Sequence, residues 1–192
     1  MDPLLGIPVG LALSTAAGLR VFIPLLITSL GARAGYLALT PGMSWIASDA
    51  ALVAFVTAAL VEVGAYYVPW LDNVADSIAT PAAITAGIIE MAAVTPDLPP
   101  LLRWTIAIIA GGGVAGVAQL GTTLLRLKSS AFTAGTGNPI LATGELIGSL
   151  AIAGLALLAP LVAAVLVAIL LVVFGRRLIR RRGRRRADLA AR

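Results

Sequence analysis

The chain has 192 residues, of which 59% are hydrophobic and only 12% charged, where a soluble domain carries about 25% charged residues. Its net charge of +5 hides two unlike parts. The segment from Arg176 to Arg192 holds nine arginines and one acid, Asp188, which leaves five basic and eight acidic residues before it. There is no cysteine and no histidine, which excludes disulfides, thiolate chemistry, His-ligated haem and Zn sites of the Cys/His kind.

The mean hydropathy of +1.00 and the recurrence of apolar runs of about 18 residues or more predict an all-α integral membrane protein with about six transmembrane helices. Residues 1–175 form one transmembrane domain, with halves at 1–98 and 99–175, and residues 176–192 form a basic tail. The N-terminus, M-D-P-L-L-G, lacks the basic region of a signal peptide, so the first apolar segment is expected to stay in the mature protein. That first span, Leu5 to Leu30, contains Gly18, Arg20 and Pro24 and is expected to be kinked or broken near its middle. Turn residues follow over Ala34 to Ser48, where Tyr36 and Trp45 suit a membrane interface.

The second span, Asp49 to Val68, carries Glu62, and Tyr66, Tyr67 and Trp70 around Pro69 read as an aromatic belt. The third apolar run, Pro81 to Val94, is shorter than the roughly 20 residues a crossing needs. It either begins earlier, within Asp72 to Thr80, or is a re-entrant or tilted element. The fourth span, Leu101 to Leu125, contains Gly112 and Gly116. This G-x-x-x-G spacing lets a second helix approach closely and marks a contact for a homodimer, or else ordinary helix packing. Arg126 and Lys128 close the span. The segment Ser129 to Pro139 is an ordinary loop or an unwound stretch lining a cavity. The fifth span, Ile140 to Leu158, carries Glu145, and a sixth runs from Leu161 to Phe174.

Six crossings place both termini on one side. The arginine-rich tail fixes that side as the cytoplasm under the positive-inside rule, and Arg176, Arg177, Arg180, Arg181 and Arg182 are expected to contact anionic lipid head groups. With no aromatic residue among them, they do not read as a nucleic-acid surface. The stretches around L-A-L-S-T-A-A-G-L-R and I-A-I-I-A-G-G-G-V-A can be laid over one another. That overlay brings Glu62 opposite Glu145 with a shifted offset and suggests two inverted three-helix repeats, an arrangement used by transporters.

Three motifs carry a family resemblance. A-A-G-L-R-V-F-I-P-L (Ala16 to Leu25), E-V-G-A-Y-Y-V-P-W-L-D-N-V-A-D (Glu62 to Asp76) and G-N-P-I-L-A-T-G-E (Gly137 to Glu145) resemble motifs of a bacterial membrane-protein family catalogued as domain of unknown function 4126. The resemblance reaches to about Pro160. It implies an integral membrane fold, in a bacterial cytoplasmic (inner) membrane, and brings no activity with it. This chain has Tyr66-Tyr67 where the family pattern has an Asp-Lys pair, and Leu146 where it often has an acid.

Ionisable groups at membrane depth are costly and must be protonated, paired or wetted. Glu62 and Glu145 therefore either form a cation or proton site or lock helices together as buried hydrogen-bonding groups. Arg20 is the available partner for either. Asp72 and Asp76, four apart, share a helical face. They read as oxygen ligands for a hard cation or as a solvated face at a helix end, and Asn138 adds an amide oxygen. The expectation is a small transporter or channel for an inorganic cation or a proton-coupled small solute. Its pathway would hold Glu62, Glu145, Arg20, Asp72, Asp76 and Asn138. The alternative is a membrane protein that organises lipids or partner helices, with these charges as structural ion pairs. No enzyme motif is present, though a lipid-acting intramembrane enzyme is not excluded. No cofactor is implied.

Overall fold

The computed structural model describes residues 5–67, 69–95, 98–133, 135–163, 165–169, 172, 173 and 176, without the side chains of residues 69–77. The described residues are helical, with no strand among them. The helices are α1 (Gly6–Ala17), α2 (Phe22–Arg33), α3 (Asp49–Ala65), α4 (Pro69–Val94), α5 (Pro100–Ile106), α6 (Gly113–Thr133) and α7 (Asn138–Leu158). A 3₁₀ turn, Ser44–Ala47, precedes α3, and a π-helical segment, Ala107–Gly112, joins α5 to α6 into one continuous helix. Residues 160–163 and 165–169 are again helical. Two segments, Pro100–Thr133 and Asn138–Leu158, are long and apolar enough to cross a membrane.

Local chemistry explains the element boundaries. Ser48 caps α3 by accepting a hydrogen bond from Ala51 N (3.2 Å), and Asp49 places an acid in its first turn. Helix α4 starts twelve residues before Pro81, so the third apolar run begins early rather than standing alone as a short element. The segment 129–133 continues α6, and residues 135–137, with Gly135 at φ +88°, form a turn before α7; among the described residues no unwound stretch lies there.

The first apolar segment departs most from expectation. Pro24 lies in the first turn of α2, where its missing N–H costs nothing, but its ring clashes with the carbonyl four residues back in any longer helix. That carbonyl belongs to Arg20, so the chain breaks over Gly18–Val21. The break is a reversal and not a kink. Along α1, Gly10 meets Met91 and Val94, the Ser14 hydroxyl donates to the Gly87 carbonyl (2.8 Å), and Gly18 meets Ala115 and Ala118. Along α2, Val21 and Phe22 meet Glu62, Thr28 meets Glu90 and Gly31 meets Leu157. Helix α1 thus runs from the C-terminal end of α4 inward, and α2 runs back out.

The two ends of the bundle are distinct. At one, the 34–48 loop is tied to the ends of α4 and α5 by Thr40 N to the Ala93 carbonyl (2.8 Å) and Arg103 Nη1 to the Pro41 carbonyl (3.1 Å). At the other, nearer the α3–α4 and α6–α7 turns, the end of α3 meets the first turns of α7, with the Tyr67 hydroxyl 2.9 Å from Thr143 Oγ1. We call these the loop end and the turn end. Both ends of the α1–α2 hairpin lie at the loop end. The first apolar run, expected as one span kinked or broken near its middle, is therefore a hairpin with both ends on one side of the bundle. The two segments paired in the repeat also take different paths: one folds back at Arg20, while the other continues straight through the π segment.

Glycines let the backbones approach. A Cβ on Gly87 would stand 2.5 Å from Ala115 Cβ and 2.7 Å from the Gly111 carbonyl, which fixes α4 against the π segment. Gly112 and Gly116 face Ile88 and Ile84 of α4 and are buried there. They are an intramolecular seam, and the expected homodimer contact through this pair has no free surface.

Candidate functional site

The tip of the α1–α2 hairpin lies deep in the bundle and gathers five polar side chains: Arg20 from the tip itself, Glu62 and Tyr66 from the end of α3, Arg126 from α6 and Glu145 from α7. Glu145 is seven residues from the start of α7 and thirteen from its end, so it sits about 10 Å from one end of a helix roughly 30 Å long. That length matches the hydrocarbon thickness of a bilayer.

Glu145 is 9% exposed and bound on two sides. Arg126 grips it in a bidentate fork, Nε to Oε1 at 3.1 Å and Nη2 to Oε2. Arg20 approaches the same Oε2 with Nη2 at 3.4 Å and donates from that nitrogen to the Ala142 carbonyl at 2.8 Å. The planar guanidinium–carboxylate match holds both partners in a single geometry. Both guanidinium carbons lie over the Tyr66 ring, Arg20 at 3.9 Å and Arg126 at 4.2 Å from its centre. The ring face attracts cations, and that attraction grows when they are desolvated.

Glu62 is held differently. Its two carboxylate oxygens accept hydrogen bonds from the backbone of the hairpin tip, Oε1 from Val21 N at 2.7 Å and Oε2 from Phe22 N at 3.0 Å. These N–H groups belong to the start of α2, where the helix dipole and unpaired donors favour an anion. Glu62 has no ion pair within 4.0 Å among the described residues, although Arg20 interacts electrostatically with it as well as with Glu145. The expectation of one arginine shared by the two acids is therefore refined: Glu145 takes Arg20 and Arg126, and Glu62 takes a helix terminus.

Beside Glu62 a cleft of about 580 Å³ opens between α3 and α4. Its walls are mainly apolar, including Phe22, Ala58, Val61 and Ile78, with Glu62 and Tyr66 at the hairpin tip. A second buried acid stands apart, toward the loop end. Glu90 is fully buried and accepts from the Thr28 hydroxyl at 2.7 Å, while its Oε1 has no partner among the described residues.

The remaining expected residues lie elsewhere. Asn138 opens α7, two turns from Glu145, and its amide meets Ser130 Oγ (Nδ2 to Oγ 3.2 Å). Asp72 and Asp76 fall on the first turns of α4, and their side chains lie outside the described residues. In the tail, Arg176 is exposed, and Arg177, Arg180, Arg181 and Arg182 lie outside the described residues. Sequence reasoning missed Arg126, Tyr66 and Glu90 as site residues. Arg126 looked like a loop charge beside Lys128, and Tyr66 looked like one member of an aromatic belt.

No curated protein and no solved structure matches the chain. The family model of a domain of unknown function, DUF4126, matches residues 7–181, which extends the likeness past Pro160 into the first arginines of the tail. The three motifs that meet at the hairpin tip are those that carried the resemblance, and the chain belongs to the DUF4126 family.

Proposed function

We propose that this protein is a small helical membrane transporter for a proton-coupled small solute, with the hairpin tip as its site and Glu62 as the exchanging carboxylate. The observation that carries this is the contrast between the two acids. Glu145 is clamped by two guanidinium groups and serves as structure. Glu62 is held only by two backbone N–H groups at a half-helix terminus and borders an open cleft. Broken helices whose N-termini face a carboxylate at membrane depth are a recurring transporter device.

A proton on Glu62 removes the charge that the α2 terminus binds and frees the carboxyl to turn toward the cleft. Among the described residues the charged groups that act on it are Arg20 from the tip and Glu145 on α7. In this reading α3, α4, the α5–α6 helix, α7 and the helix after Pro160 cross the bilayer, and α1–α2 is re-entrant. The arginine tail stands at the cytoplasmic face of a bacterial inner membrane against anionic lipid.

The second reading, a scaffold with structural ion pairs, is favoured by the sealed Arg20–Glu145–Arg126 cluster alone. The two separate in proteoliposomes loaded with a pH-sensitive dye and challenged with a panel of small organic and inorganic ions. A transporter moves protons with at least one of them, and Glu62→Gln abolishes the coupled movement. Folded wild-type protein that moves no protons with any member of the panel would leave the scaffold.

A further inference from the structure

The hairpin tip has the build of an anion site that holds an internal anion. Two adjacent backbone N–H groups, on Val21 and Phe22, each donate to one oxygen of a planar carboxylate. Beside them Arg20, only 2% exposed, keeps Nε and Nη1 without a hydrogen-bond partner among the described residues. Buried N–H groups of a cation are seldom left unpaired, and each unpaired donor is a reason to look for a missing acceptor. The guanidinium lies over Tyr66, which walls the cleft. The tip thus offers more donors than Glu62 uses.

The cleft that opens beside Val21, Phe22 and Glu62 is lined mainly by apolar groups. Thr57, one of its few hydroxyls, already donates to the Val53 carbonyl at 2.8 Å. Its volume of about 580 Å³ is in the usual range for small-molecule sites. A tetrahedral oxyanion such as phosphate would leave oxygens facing apolar wall. A planar carboxylate on an apolar body fits both parts, and Glu62 itself is such a group on a short tether.

We infer that the site takes an apolar monocarboxylate, whose carboxylate replaces that of Glu62 on the α2 terminus and whose tail fills the cleft between α3 and α4. Glu62 is then a tethered competitor, and the ligand enters as Glu62 leaves. This rests on the proposed transport role of the hairpin tip and names the substrate class for it.

The test is binding of 4-fluorobenzoate, followed by fluorine NMR, to the full chain in nanodiscs, with empty nanodiscs as the blank. Removing the competitor should strengthen binding. If Glu62 occupies the tip nine-tenths of the time, Glu62→Ala binds about tenfold more tightly than wild type. Glu62→Gln, which keeps the shape and one acceptor, falls between the two and carries the test if the alanine variant does not fold. Ala58→Trp, which fills the cleft, should lose binding. Equal affinity in wild type and both Glu62 variants overturns the inference. So does equal binding of neutral 4-fluorobenzyl alcohol, or displacement of the probe by inorganic phosphate at matched concentration. Binding without coupled proton movement would reject the transport role and leave the carboxylate site. Proton movement driven by another ion, without fluorobenzoate binding, would reject the carboxylate assignment alone.

Discussion

Three carboxylates inside one small bundle, one fully and two partly buried, meet three different fates, and neighbours decide each. Glu145 faces two guanidinium groups, so its loss removes a counter-charge shared by two buried cations. Breaking one partner of such a pair typically costs about 3–5 kcal/mol. Glu145→Gln is therefore expected to lower thermal stability in detergent by a large step, and an unchanged unfolding midpoint would show the pairs to be slack. Among the described residues Glu90 has one hydroxyl donor and no ion pair. An isolated charge buried in apolar surroundings is very costly, whereas a neutral carboxyl or amide is not. Glu90→Gln is thus expected to change stability by less than about 1 kcal/mol, whereas Glu90→Leu, which strands the Thr28 hydroxyl, should cost about 1–3 kcal/mol. Denaturant unfolding of the pair decides it, and equal losses in both would reject this account. Arg20, Glu62 and Glu145 were legible in the sequence because a charge within an apolar run stands out against its surroundings. Arg126 was not, because seven residues of further helix beyond it look the same in sequence as a loop. Tyr66 was masked by Tyr67 and Trp70, and only the fold puts it beneath two guanidinium groups.

At the level of elements, the sequence showed where the first helix must break but not which way the chain leaves the break. A proline in the first turn and a glycine before it mark a kink and a reversal alike. The direction is set by long-range contacts, such as Thr28 with Glu90 and Gly31 with Leu157, which no local pattern encodes. The glycine spacing in α6 was legible as close packing, while the identity of the partner was not. Since that partner is α4, side chains added at the seam should destabilise the single chain. Gly87→Val, pushed against the Gly111 carbonyl and Ala115, is expected to cost about 1–3 kcal/mol as an overpacked substitution. Gly144→Ala, on an exposed turn of α7 with open space around it, should be neutral or gain up to about 1 kcal/mol from helix propensity. Thermal melts of both variants at dilute and high protein concentration check this. A Gly87→Val loss that vanished on dilution would point back to a contact between copies.

At the scale of the whole molecule, the hairpin changes the parity of the topology. Counting apolar runs gives six crossings and returns the N-terminus to the side of the α6–α7 turn. In the proposed arrangement, folding the first run back on itself leaves five, because two helices of 12 residues, about 18 Å each, reach the site and return. The chain contains no cysteine, so any introduced cysteine is the sole target for a thiol reagent. Ile7→Cys at the start of α1, Tyr36→Cys in the loop after α2 and Thr136→Cys in the α6–α7 turn sample the three decisive places, and Tyr36 is 63% exposed. In oriented membrane vesicles, a membrane-impermeant maleimide is expected to reach positions 7 and 36 from one side and position 136 from the other. Positions 7 and 36 reacting from opposite sides would restore a full first crossing. The hairpin tip would then become a helix kink, and the α2 terminus that holds Glu62 would lose the backbone donors on which both the transport role and the carboxylate site depend.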